Sequence, residues 1–572
     1  MLTDLDKAQD AAVAALTADG GQMAVTTREV RGAKLPVFEN APPSMREYFD
    51  FFFAANGPKE FTVYEGERKT FAEIFSEAKH IAAALQHEYG VSKGDRVAIA
   101  MRNFPEWISA FVGGLYLGAV VVPLNAWWTA DELEYGLNHS GTRLVIADEE
   151  RLKRVRAAVG ADMPVITVRT SKAVTEEHGA RQLKEVLAAS PKEMWHVHPI
   201  GPEDDATLMY TSGSTGNPKG AVSTHGGIVH GAMNYIVQGL AMLQLAEAAG
   251  TELPEQQIML LNVPLFHITG SVPVLLVSIA IGRKLVIMYK WDAGEALKQI
   301  QDERVTYFVG VPTMSLELLQ HPERDKYDLS TLVDIAAGGA PRPEEHVKRI
   351  MKEMGKTPAI GYGLTETNGV GAGNIRDNYL AKPNSTGRAS KPVVEIAIRD
   401  DDLNMMPQGE RGEVCIRSAA NVRGYWRNPE ATREAFPGDG WFHSGDIGYL
   451  DEDGYLFIVD RKKDIIIRGG ENIAAQEVEA AIYSHPAVAE CSVFGLPDER
   501  MGEVVGAVVY RKPDEQLDQD ALREFLKDDL ASFKLPKRIW WSDQPLPKLG
   551  SGKTDKVSLR KKYQAIHVGD AG

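Results

Sequence analysis

Short runs of apolar, mostly β-branched residues alternate with helix-like segments along the first two thirds of the chain. These runs predict strands at 96–101, 143–148, 206–213, 257–264, 284–288, 307–312 and 332–339. Between several of them, segments such as 294–303 and 343–355 place apolar residues at helical spacing. Because alternating strands and helices build sheets that helices cover, this region predicts an α/β fold of parallel, helix-covered sheets.

The pattern changes near residue 384, where short strand-like runs are separated by turns instead of helices. The runs at 393–400, 412–418 and 454–460 predict a small β-rich, β-barrel-like subdomain at about 384–460. After them, mixed helical and strand-like segments predict a compact α+β unit. We therefore predict an N-terminal extension at 1–44, a large domain at 45–462 and a C-terminal domain at 463–572.

Composition and charge exclude several classes of protein. The chain has 572 residues, 44% of them hydrophobic, and a net charge of -16, which argues against a general nucleic-acid binder. Its two cysteines, Cys415 and Cys491, have neither disulfide nor zinc-ligand spacing and fit a reducing cytoplasm. The apolar runs at 107–122 and 271–282 are shorter than the ~20 residues of a spanning helix, so we expect no transmembrane segment. The N-terminus lacks the basic flank of a secretory signal.

A loop rich in glycine and hydroxyl groups, "TSGSTGNPKG" at 211–220, is the first candidate for chemistry. It follows a predicted strand and precedes a predicted helix at 226–239, a position where loops often bind phosphates. It is not a Walker loop, which would need glycine at Pro218 and Ser or Thr at Gly220. It is not a nucleophile elbow either, which would need glycine at Ser212. From composition alone, a surface linker is an equally good interpretation.

The exact string "YTSGSTGNPKGAV" resembles the signature loop of the adenylate-forming superfamily, which includes acyl- and aryl-CoA synthetases, adenylation domains and firefly luciferase. Three further segments are similar to that superfamily in the same order: "GYGLTET" at 361–367, the segment 441–472, and "LPKLGSGKTDK" at 546–556. The resemblance covers about residues 45 to 556. It implies that ATP activates a carboxylate as an acyl-adenylate with release of pyrophosphate, and that a thiol then attacks the adenylate.

The resemblance also implies roles in binding ATP and Mg²⁺. The loop residues that it implies bind the β- and γ-phosphates are Thr211, Ser212, Gly213, Ser214, Thr215, Gly216 and Lys219. Thr365 matches the α-phosphate contact, and Glu366 matches the magnesium carboxylate, with Thr211 as a second candidate ligand. Tyr362, between Gly361 and Gly363, matches the residue that stacks on adenine. The strand end that lines the nucleotide and the acyl group corresponds to Gly338, Gly339, Ala340 and Pro341.

Further implied residues lie toward the C-terminus. Asp446 and Arg461 match the ribose contacts, and Lys553 matches the catalytic lysine near the reacting carboxylate. Lys463 falls at the family's hinge, about which the C-terminal domain rotates between the two half-reactions. Gly469 and Gly470 fall where the rotated domain lines the thiol tunnel.

The substrate is predicted from the segment "VPLFHITGSVPVLL" at 263–276, which matches the wall of the family's acyl tunnel. His267 stands at the gate position, although a structural role for it is as reasonable, and Gly338 and Gly363 complete the predicted acyl pocket. The segment is apolar and lacks an aspartate for an amino group, which favours a medium- or long-chain fatty acid. An aryl- or arylalkanoate-CoA ligase is the alternative, and acyl loading of a carrier protein is an alternative of another class.

Coenzyme A is the expected acceptor, because no carrier-protein segment follows within the 572 residues. A non-enzymatic sensor of acyl or nucleotide ligands is disfavoured by the intact Lys553, Glu366 and Asp446. The expected ligands are thus a carboxylic acid, ATP with Mg²⁺, and coenzyme A, in a cytoplasmic enzyme that could form a homodimer as many relatives do.

Overall fold

The computed structural model describes residues 1–211, 218–252, 254–339, 342–513, 515–548 and 554–571. The chain forms two compact units, one of residues 1–396 with 415–443 and the other of residues 397–414 with 444–572. The predicted α/β class with a separate α+β C-terminal region is confirmed. The domain boundary predicted after residue 462 stays a prediction.

The helices follow one another along the chain as α1 Asp4–Thr17, α2 Met45–Asn56, α3 Phe71–Tyr89, α4 Pro105–Leu117, α5 Ala130–Ser140, α6 Glu149–Val159, α7 Lys172–Glu177, α8 Leu183–Ala189, α9 His225–Ala248, α10 Val277–Ile281, α11 Ala293–Asp302, α12 Pro312–Gln320, α13 Glu344–Met354, α14 Arg376–Ala381, α15 Pro429–Ala435, α16 Ala475–Tyr483, α17 Gln519–Leu526 and α18 Lys556–Ala571. A π-helical segment covers Gly270–Leu276, and 3₁₀ turns cover Arg324–Lys326, Thr365–Thr367 and Ser532–Lys534.

The strands are β1 Val25–Val30, β2 Ala33–Phe38, β3 Glu60–Tyr64, β4 Glu67–Thr70, β5 Arg96–Ala100, β6 Val120–Pro123, β7 Leu144–Asp148, β8 Val165–Val168, β9 Arg181–Gln182, β10 Asp205–Thr211, β11 Lys219–Thr224, β12 Ile258–Leu261, β13 Lys284–Ile287, β14 Tyr307–Gly310, β15 Asp334–Gly338, β16 Thr357–Gly363, β17 Gly371–Ile375, β18 Gly387–Ala389, β19 Val394–Arg399, β20 Gly412–Ser418, β21 Gly424–Tyr425, β22 Trp441–Leu450, β23 Tyr455–Arg461, β24 Ile466–Arg468, β25 Glu471–Ile473, β26 Val488–Asp498, β27 Gly502–Arg511 and β28 Arg538–Ser542.

Two large sheets build most of the first unit. One has the strand order β21-β11-β10-β6-β5-β7-β8-β9, and the other runs β18-β17-β16-β15-β14-β12-β13-β3-β4 within this unit. The strands at the centre of each sheet are parallel, whereas the pairs β10–β11 and β16–β17 are antiparallel. Both sheets are therefore mixed, while the sequence pattern predicted parallel ones.

Side-chain alternation along the strands explains how the sheets stack. In β5, Val97 and Ile99 pack into a large core that also contains residues of α2, α3, α4 and α9, while Ala98 and Ala100 face a smaller core with α5 and α6. The second sheet divides in the same way, since Leu261 joins the large core and Leu260 joins a core with α11 and α12. Because successive strand residues point to opposite faces, the unit has five layers, with helices outside and between the two sheets.

The glycine loop follows a strand and precedes helix α9, as predicted, but a strand that was not predicted lies between the loop and the helix. Strand β11 intervenes and pairs antiparallel with β10, with Thr211 opposite Lys219. Helix α9 begins after Thr224, whose hydroxyl accepts a hydrogen bond from the amide of Gly227. The run "AVST" before that cap contains β-branched residues that favour a strand. The loop therefore connects the two strands of a hairpin.

The N-terminal extension is folded. Thr3 caps α1 in a capping box with Asp6, and Val13 and Leu16 pack into the large core of the first unit. Strands β1 and β2 form a two-stranded antiparallel hairpin of their own. None of these elements was predicted from the sequence.

The second unit contains a sheet of order β25-β24-β27-β26, with β28 parallel to β27. Its own core includes Val478 and Ile482 of α16, Val493 of β26 and Val509 of β27. Gly469 and Gly470 form the two-residue turn between β24 and β25, with φ of 61° and 91°. Such hairpin turns need left-handed φ angles, which glycine adopts without strain. None of the helices described here has the length and apolar character needed to cross a membrane.

Candidate active site

The two ends of the glycine loop are held together by the hairpin of β10 and β11. Thr211 ends β10, and its hydroxyl donates a hydrogen bond of 3.4 Å to the carbonyl oxygen of Lys219. Residues 212–217 lie outside the described residues, and with them the predicted phosphate contacts Ser212, Gly213, Ser214, Thr215 and Gly216. The hairpin thus fixes the base of the loop, from which Lys219 extends.

Lys219, Tyr425 and Glu366 form a cluster beside that hairpin. The ammonium group of Lys219 lies 5.0 Å from the centre of the Tyr425 ring. The Tyr425 hydroxyl donates a hydrogen bond of 2.8 Å to Oε1 of Glu366, whose residue is only 8% exposed. A cation, an aromatic face and a buried carboxylate are therefore held next to each other.

Glu366 lies in the 3₁₀ turn Thr365–Thr367 that follows β16. Its carbonyl oxygen accepts a hydrogen bond of 2.8 Å from the amide of Val422. Asn368, two residues after Glu366, is fully buried and has a φ of 50°. Its side-chain amide donates to the carbonyl oxygen of Ala420 at 2.7 Å and accepts from the Ser223 hydroxyl at 2.8 Å. These bonds fix the turn that presents Thr365 and Glu366.

Small residues border the turn at the ends of β15 and β16. Gly338 pairs with Gly361 across the two parallel strands. A Cβ atom on Gly363 would lie 2.0 Å from the carbonyl oxygen of Gly369, so only glycine fits there. Tyr362 is half-buried between Gly361 and Gly363, and Gly339 is exposed at the end of β15. Ala340 and Pro341 lie outside the described residues.

A cavity of about 1580 Å³ in the first unit opens beside these glycines. Its lining includes Gly338, Gly339, Gly361 and Gly363, and it continues between the sheet and the helices α9 and α10. Most of its deeper walls are apolar, among them Met233, Ile236, Ile268, Val274 and Val277. One end of the cavity therefore borders the predicted nucleotide residues, while its body suits a hydrocarbon.

His267 lies next to this cavity, and its neighbours Ile268 and Thr269 line it. Its ring packs against Phe266 with centroids 4.7 Å apart. Its carbonyl oxygen accepts hydrogen bonds from the amides of Gly270 and Ser271 at the start of the π-helical segment. The backbone of His267 thus helps to start that segment, and a gating role of its ring stays a prediction.

The predicted ribose residues pair with each other in the second unit. Asp446 of β22 lies directly opposite Arg461 of β23, and Nε of Arg461 is 2.6 Å from Oδ1 of Asp446. Asp446 is 3% exposed, and its amide donates to the hydroxyl of Ser444 at 3.0 Å. The Arg461 side chain is half exposed. A buried carboxylate that is paired with a cation can accept hydrogen bonds from hydroxyl groups.

Lys463, Gly469 and Gly470 are at the surface of the second unit. Lys463 is exposed, and its carbonyl oxygen accepts a hydrogen bond of 3.2 Å from Arg560. Gly469 and Gly470 are exposed in the turn between β24 and β25. Lys553 lies outside the described residues.

Sequence reasoning missed Tyr425 and Asn368. Tyr425 reaches Glu366 because β21 pairs with β11, where Tyr425 lies opposite Ala221. That pairing joins segments about two hundred residues apart, and no local pattern reports it. Asn368 carried a weak signal, since asparagine tolerates a left-handed φ better than most residues and follows the "LTET" turn directly.

Comparison with known protein families now decides the identity. The model of the AMP-binding enzyme family matches residues 51–426, and the model of the AMP-binding enzyme C-terminal domain matches residues 477–553. The chain belongs to the AMP-binding enzyme family. The resemblance found in the sequence is therefore confirmed, and the protein is an ATP-binding, AMP-forming acid–thiol ligase of the acyl-CoA synthetase type.

Curated relatives of this AMP-binding enzyme differ in the acids that their names give. A feruloyl-CoA synthase of Amycolatopsis sp is 34% identical over 87% of this chain and 94% of its own. The long-chain-fatty-acid–CoA ligase FadD13 of Mycobacterium tuberculosis is 36% identical over the same shares, 87% and 94%. The crystal structure of ATP-bound MatB from Rhodopseudomonas palustris is similar with a TM-score of 0.77 at 27% identity, over 91% of this chain and 99% of that one.

Proposed function

We propose that this AMP-forming ligase joins a medium- or long-chain fatty acid to coenzyme A. The observation that carries the proposal is the cavity of about 1580 Å³, which starts at Gly338 and Gly363 and continues between apolar walls. Ligand pockets commonly measure about 300–1,000 Å³, so this cavity has room for a long tail. Apolar walls stabilise a hydrocarbon by about 25 cal/mol for each Å² that leaves water.

The first half-reaction follows from the charges at the site. A carboxylate oxygen of the acid attacks the α-phosphorus of ATP, the bond to the β-phosphate bridging oxygen breaks, and pyrophosphate leaves. Both reactants are anions, so their approach needs positive charge and fixed alignment. We assign Lys219 and the loop 211–217 to the β- and γ-phosphates, and Thr365 to the α-phosphate.

Glu366 fits a role as a magnesium ligand. Its buried carboxylate is oriented by the Tyr425 hydroxyl at 2.8 Å. The described residues contain no cluster of three or more His, Cys, Asp or Glu that could hold a metal. That is compatible with Mg²⁺, which commonly takes one or two carboxylates and completes its shell with phosphates and water. When bound, the ion would neutralise phosphate charge, and Thr211 is the second residue proposed near it.

Asp446 and Arg461 are proposed to bind the ribose. A carboxylate has two acceptor oxygens, which match the two hydroxyls of a vicinal diol. Nε of Arg461 lies 2.6 Å from one of these oxygens and forms an ion pair with it. Tyr362 is proposed to stack on the adenine, with Gly361 and Gly363 leaving space for it.

The second half-reaction needs a thiol. The thiolate of coenzyme A attacks the carbonyl carbon of the acyl-adenylate, the bond to the phosphate oxygen breaks, and AMP leaves. We propose that Lys553 supplies a cation during adenylate formation only, and that the C-terminal domain turns about Lys463 before the thiol enters along Gly469 and Gly470. A cytoplasmic location is supported by the two buried free thiols Cys415 and Cys491, and a homodimer stays a prediction.

An aryl-CoA ligase is the second candidate. The observation that favours it is the feruloyl-CoA synthase among the relatives, at 34% identity. The proposal of a fatty acid rests instead on the length of the apolar cavity. Acyl loading of a carrier protein would leave free coenzyme A unconsumed.

A panel of acids separates these functions. Octanoate, dodecanoate, hexadecanoate, benzoate and ferulate are compared by AMP and pyrophosphate release, with and without coenzyme A, and by mass spectrometry of the thioester. The proposal expects the highest kcat/KM with dodecanoate or hexadecanoate and a thioester of coenzyme A. A maximum with ferulate would establish the aryl alternative, and adenylate formation without any use of free coenzyme A would support carrier loading.

A further inference from the structure

The cavity of the first unit extends far beyond the glycines that border the nucleotide residues. It follows one face of the sheet to the amino-terminal ends of β14 and β15, where Tyr307 and Asp334 line it. Gly338 and Asp334 are the two ends of β15. At about 3.3 Å per strand residue, these ends are about 13 Å apart. The far end is therefore where the tail of a bound acid would finish.

Arg283 lines this far end, and no carboxylate of the described residues forms an ion pair with it. Its guanidinium lies 5.3 Å from the centre of the Tyr307 ring. Nε and Nη2 donate to Oε1 of Gln257 at 3.3 and 3.0 Å, while the acceptor that the described residues offer to Nη1 is the weak one, Sδ of Met259 at 3.6 Å. No Asp or Glu of the described chain lies within ion-pair distance of it. Burial lowers the pKa of Arg283, which reflects the cost of this unpaired charge.

Tyr307 adds a second donor at the same place. Its hydroxyl forms no hydrogen bond within the described part of the chain, and its side chain keeps accessible surface where it lines the cavity. Burial raises the pKa of Tyr307 to about 12, so the hydroxyl keeps its proton at neutral pH. An uncharged phenol can donate to an acceptor that enters from the cavity.

The neighbouring charges do not satisfy these two donors. Asp334 is already engaged, since Oδ2 lies 3.3 Å from Nη2 of Arg376 and Oδ1 accepts from the Thr357 hydroxyl at 2.6 Å. Both Asp334 and Arg376 line the same end of the cavity. Asp334 is thus paired with Arg376, while Arg283 forms no ion pair within the described residues.

We propose that Arg283 and Tyr307 form a subsite for an oxygen acceptor at the far end of the acid. The preferred substrate class is then an elongated acid with a second carboxylate opposite the reacting one. This inference rests on the proposed acid-activating function and names its substrate more closely. A methyl end would offer no acceptor to Nη1 of Arg283 or to the Tyr307 hydroxyl, whereas a carboxylate could accept from both.

Matched pairs of acids test the subsite. Octanedioate, dodecanedioate and hexadecanedioate are compared with octanoate, dodecanoate and hexadecanoate, and dodecanoate with a terminal hydroxyl is a third arm. At the length that spans the cavity, kcat/KM of the wild-type enzyme is expected to be at least about tenfold higher for the dicarboxylic acid than for its monocarboxylic partner. The hydroxy acid is expected between the two, because it can accept but carries no charge.

The variants locate the effect. Arg283→Met keeps the side-chain length, and it is expected to lower kcat/KM for the dicarboxylic acid at least about tenfold while changing that of the monocarboxylic acid less than about threefold. Arg283→Lys should restore part of the loss, and Tyr307→Phe should give a smaller loss of the same selectivity. Arg349→Met, which removes a cation of an exposed pair with Glu353 on α13, is the control that should change neither acid.

Binding is measured beside turnover, by titration calorimetry of dodecanedioate into the wild type and Arg283→Met. A wild-type preference for monocarboxylic acids, or equal losses for both acids in Arg283→Met, would overturn the subsite and leave the acid-activating function intact. If no acid of either series yields AMP, the proposed function is wrong, and the calorimetric comparison still decides the subsite. Dodecanedioate that binds the wild type at least about tenfold more tightly than Arg283→Met supports the subsite, and equal affinity for the two proteins contradicts it.

Discussion

At the scale of single residues, the site depends on a few contacts that distant segments supply. Glu366 could be chosen from the sequence because "GYGLTET" surrounds it, and Asp446 because of the segment 441–472. Tyr425 could not, because only the pairing of β21 with β11 brings its hydroxyl to Glu366. A motif thus identifies the acidic group, but folding alone reveals what orients it.

Replacing Tyr425 by phenylalanine tests that orientation. Phenylalanine keeps the ring beside Lys219 and removes only the hydrogen bond to Glu366. A hydrogen bond to a charged group contributes about 1.5–3 kcal/mol, so we expect kcat/KM for ATP to fall about tenfold or more and the Mg²⁺ requirement to rise. Tyr449→Phe, a tyrosine stacked on Phe457 in the second unit, is the control. Unchanged ATP and Mg²⁺ kinetics would remove Tyr425 from the site.

The buried side chain of His225 should make the stability of the protein depend on pH. Burial lowers the pKa of His225 to about 4, and its Nδ1 accepts a hydrogen bond of 3.2 Å from the amide of Met45. The folded pKa lies below the unfolded one, so the stability from neutral His225 is complete above about pH 6.5 and is lost as the pH falls toward 4. Each such group changes the free energy of unfolding by about 1.4 kcal/mol per pH unit in that window.

Urea unfolding followed by tryptophan fluorescence between pH 7 and pH 5 measures this slope. His225→Asn keeps an acceptor near the position of Nδ1 but does not titrate, so its slope should be smaller by about one proton. Burial also lowers the pKa values of His230 and His346 to about 4. These two residues should therefore still make the stability of the variant depend on pH. An identical slope in the variant would contradict the assignment.

At the scale of elements, the N-terminal helix α1 forms part of the cavity wall. The residues of α1 that line the cavity recur at helical spacing: Asp6, Gln9, Asp10, Val13, Ala14 and Thr17. Arg388 fixes this helix through Asp10 at 2.8 Å and Asp6 at 3.3 Å, and the side-chain amide of Gln9 donates to Oε1 of Gln238 on α9 at 2.9 Å. The family model starts at residue 51, so α1 is a part of the cavity wall that lies outside the region matched by that model.

Adding bulk on α1 should therefore change which acids fit. Ala14→Phe places a ring on the cavity side of the helix, and we expect kcat/KM for hexadecanoate to fall about tenfold while that for octanoate changes little. Ala15→Phe is the matched control, because Ala15 is exposed on the same helix and does not line the cavity. Equal effects of the two substitutions on both acids would show that α1 does not select the substrate.

The sequence predicted some elements well and others not at all, for physical reasons. The runs at 96–101, 143–148 and 284–288 are apolar enough to stay buried on both faces, and they are β5, β7 and β13. Strand β11 is stabilised by pairing with β10 and β21, which a local pattern does not contain. Helix α1 has a capping box, but its few apolar residues gave no strong stripe.

At the scale of the whole molecule, two compact units divide the predicted chemistry. The first holds Lys219, Glu366 and the cavity, and the second holds Asp446 and Arg461. The order of four motifs identified the superfamily from the sequence, but the acid could not be named, because cavity walls come from α1, α9, α10 and several strands together. Substrate choice is a property of the assembled fold.

Lys553→Ala tests the division between the two half-reactions. We expect acid-dependent pyrophosphate release to fall at least about a hundredfold, because an ammonium group that approaches two anions is lost. Thioester formation from a supplied acyl-adenylate should change less than about threefold, since the nucleophile then attacks a carbonyl carbon and not the α-phosphorus of an anionic triphosphate. Equal losses in both assays would contradict the proposed role of Lys553.

Transfer of a carboxylate oxygen to AMP is the event that distinguishes an acyl-adenylate from other ways of using ATP. Dodecanoate labelled with heavy oxygen in its carboxylate is incubated with the enzyme, ATP, Mg²⁺ and coenzyme A, and the AMP produced is analysed by mass spectrometry. Attack of the carboxylate on the α-phosphorus predicts that each AMP carries one heavy oxygen atom. Unlabelled AMP formed together with the thioester would contradict adenylate formation by this enzyme.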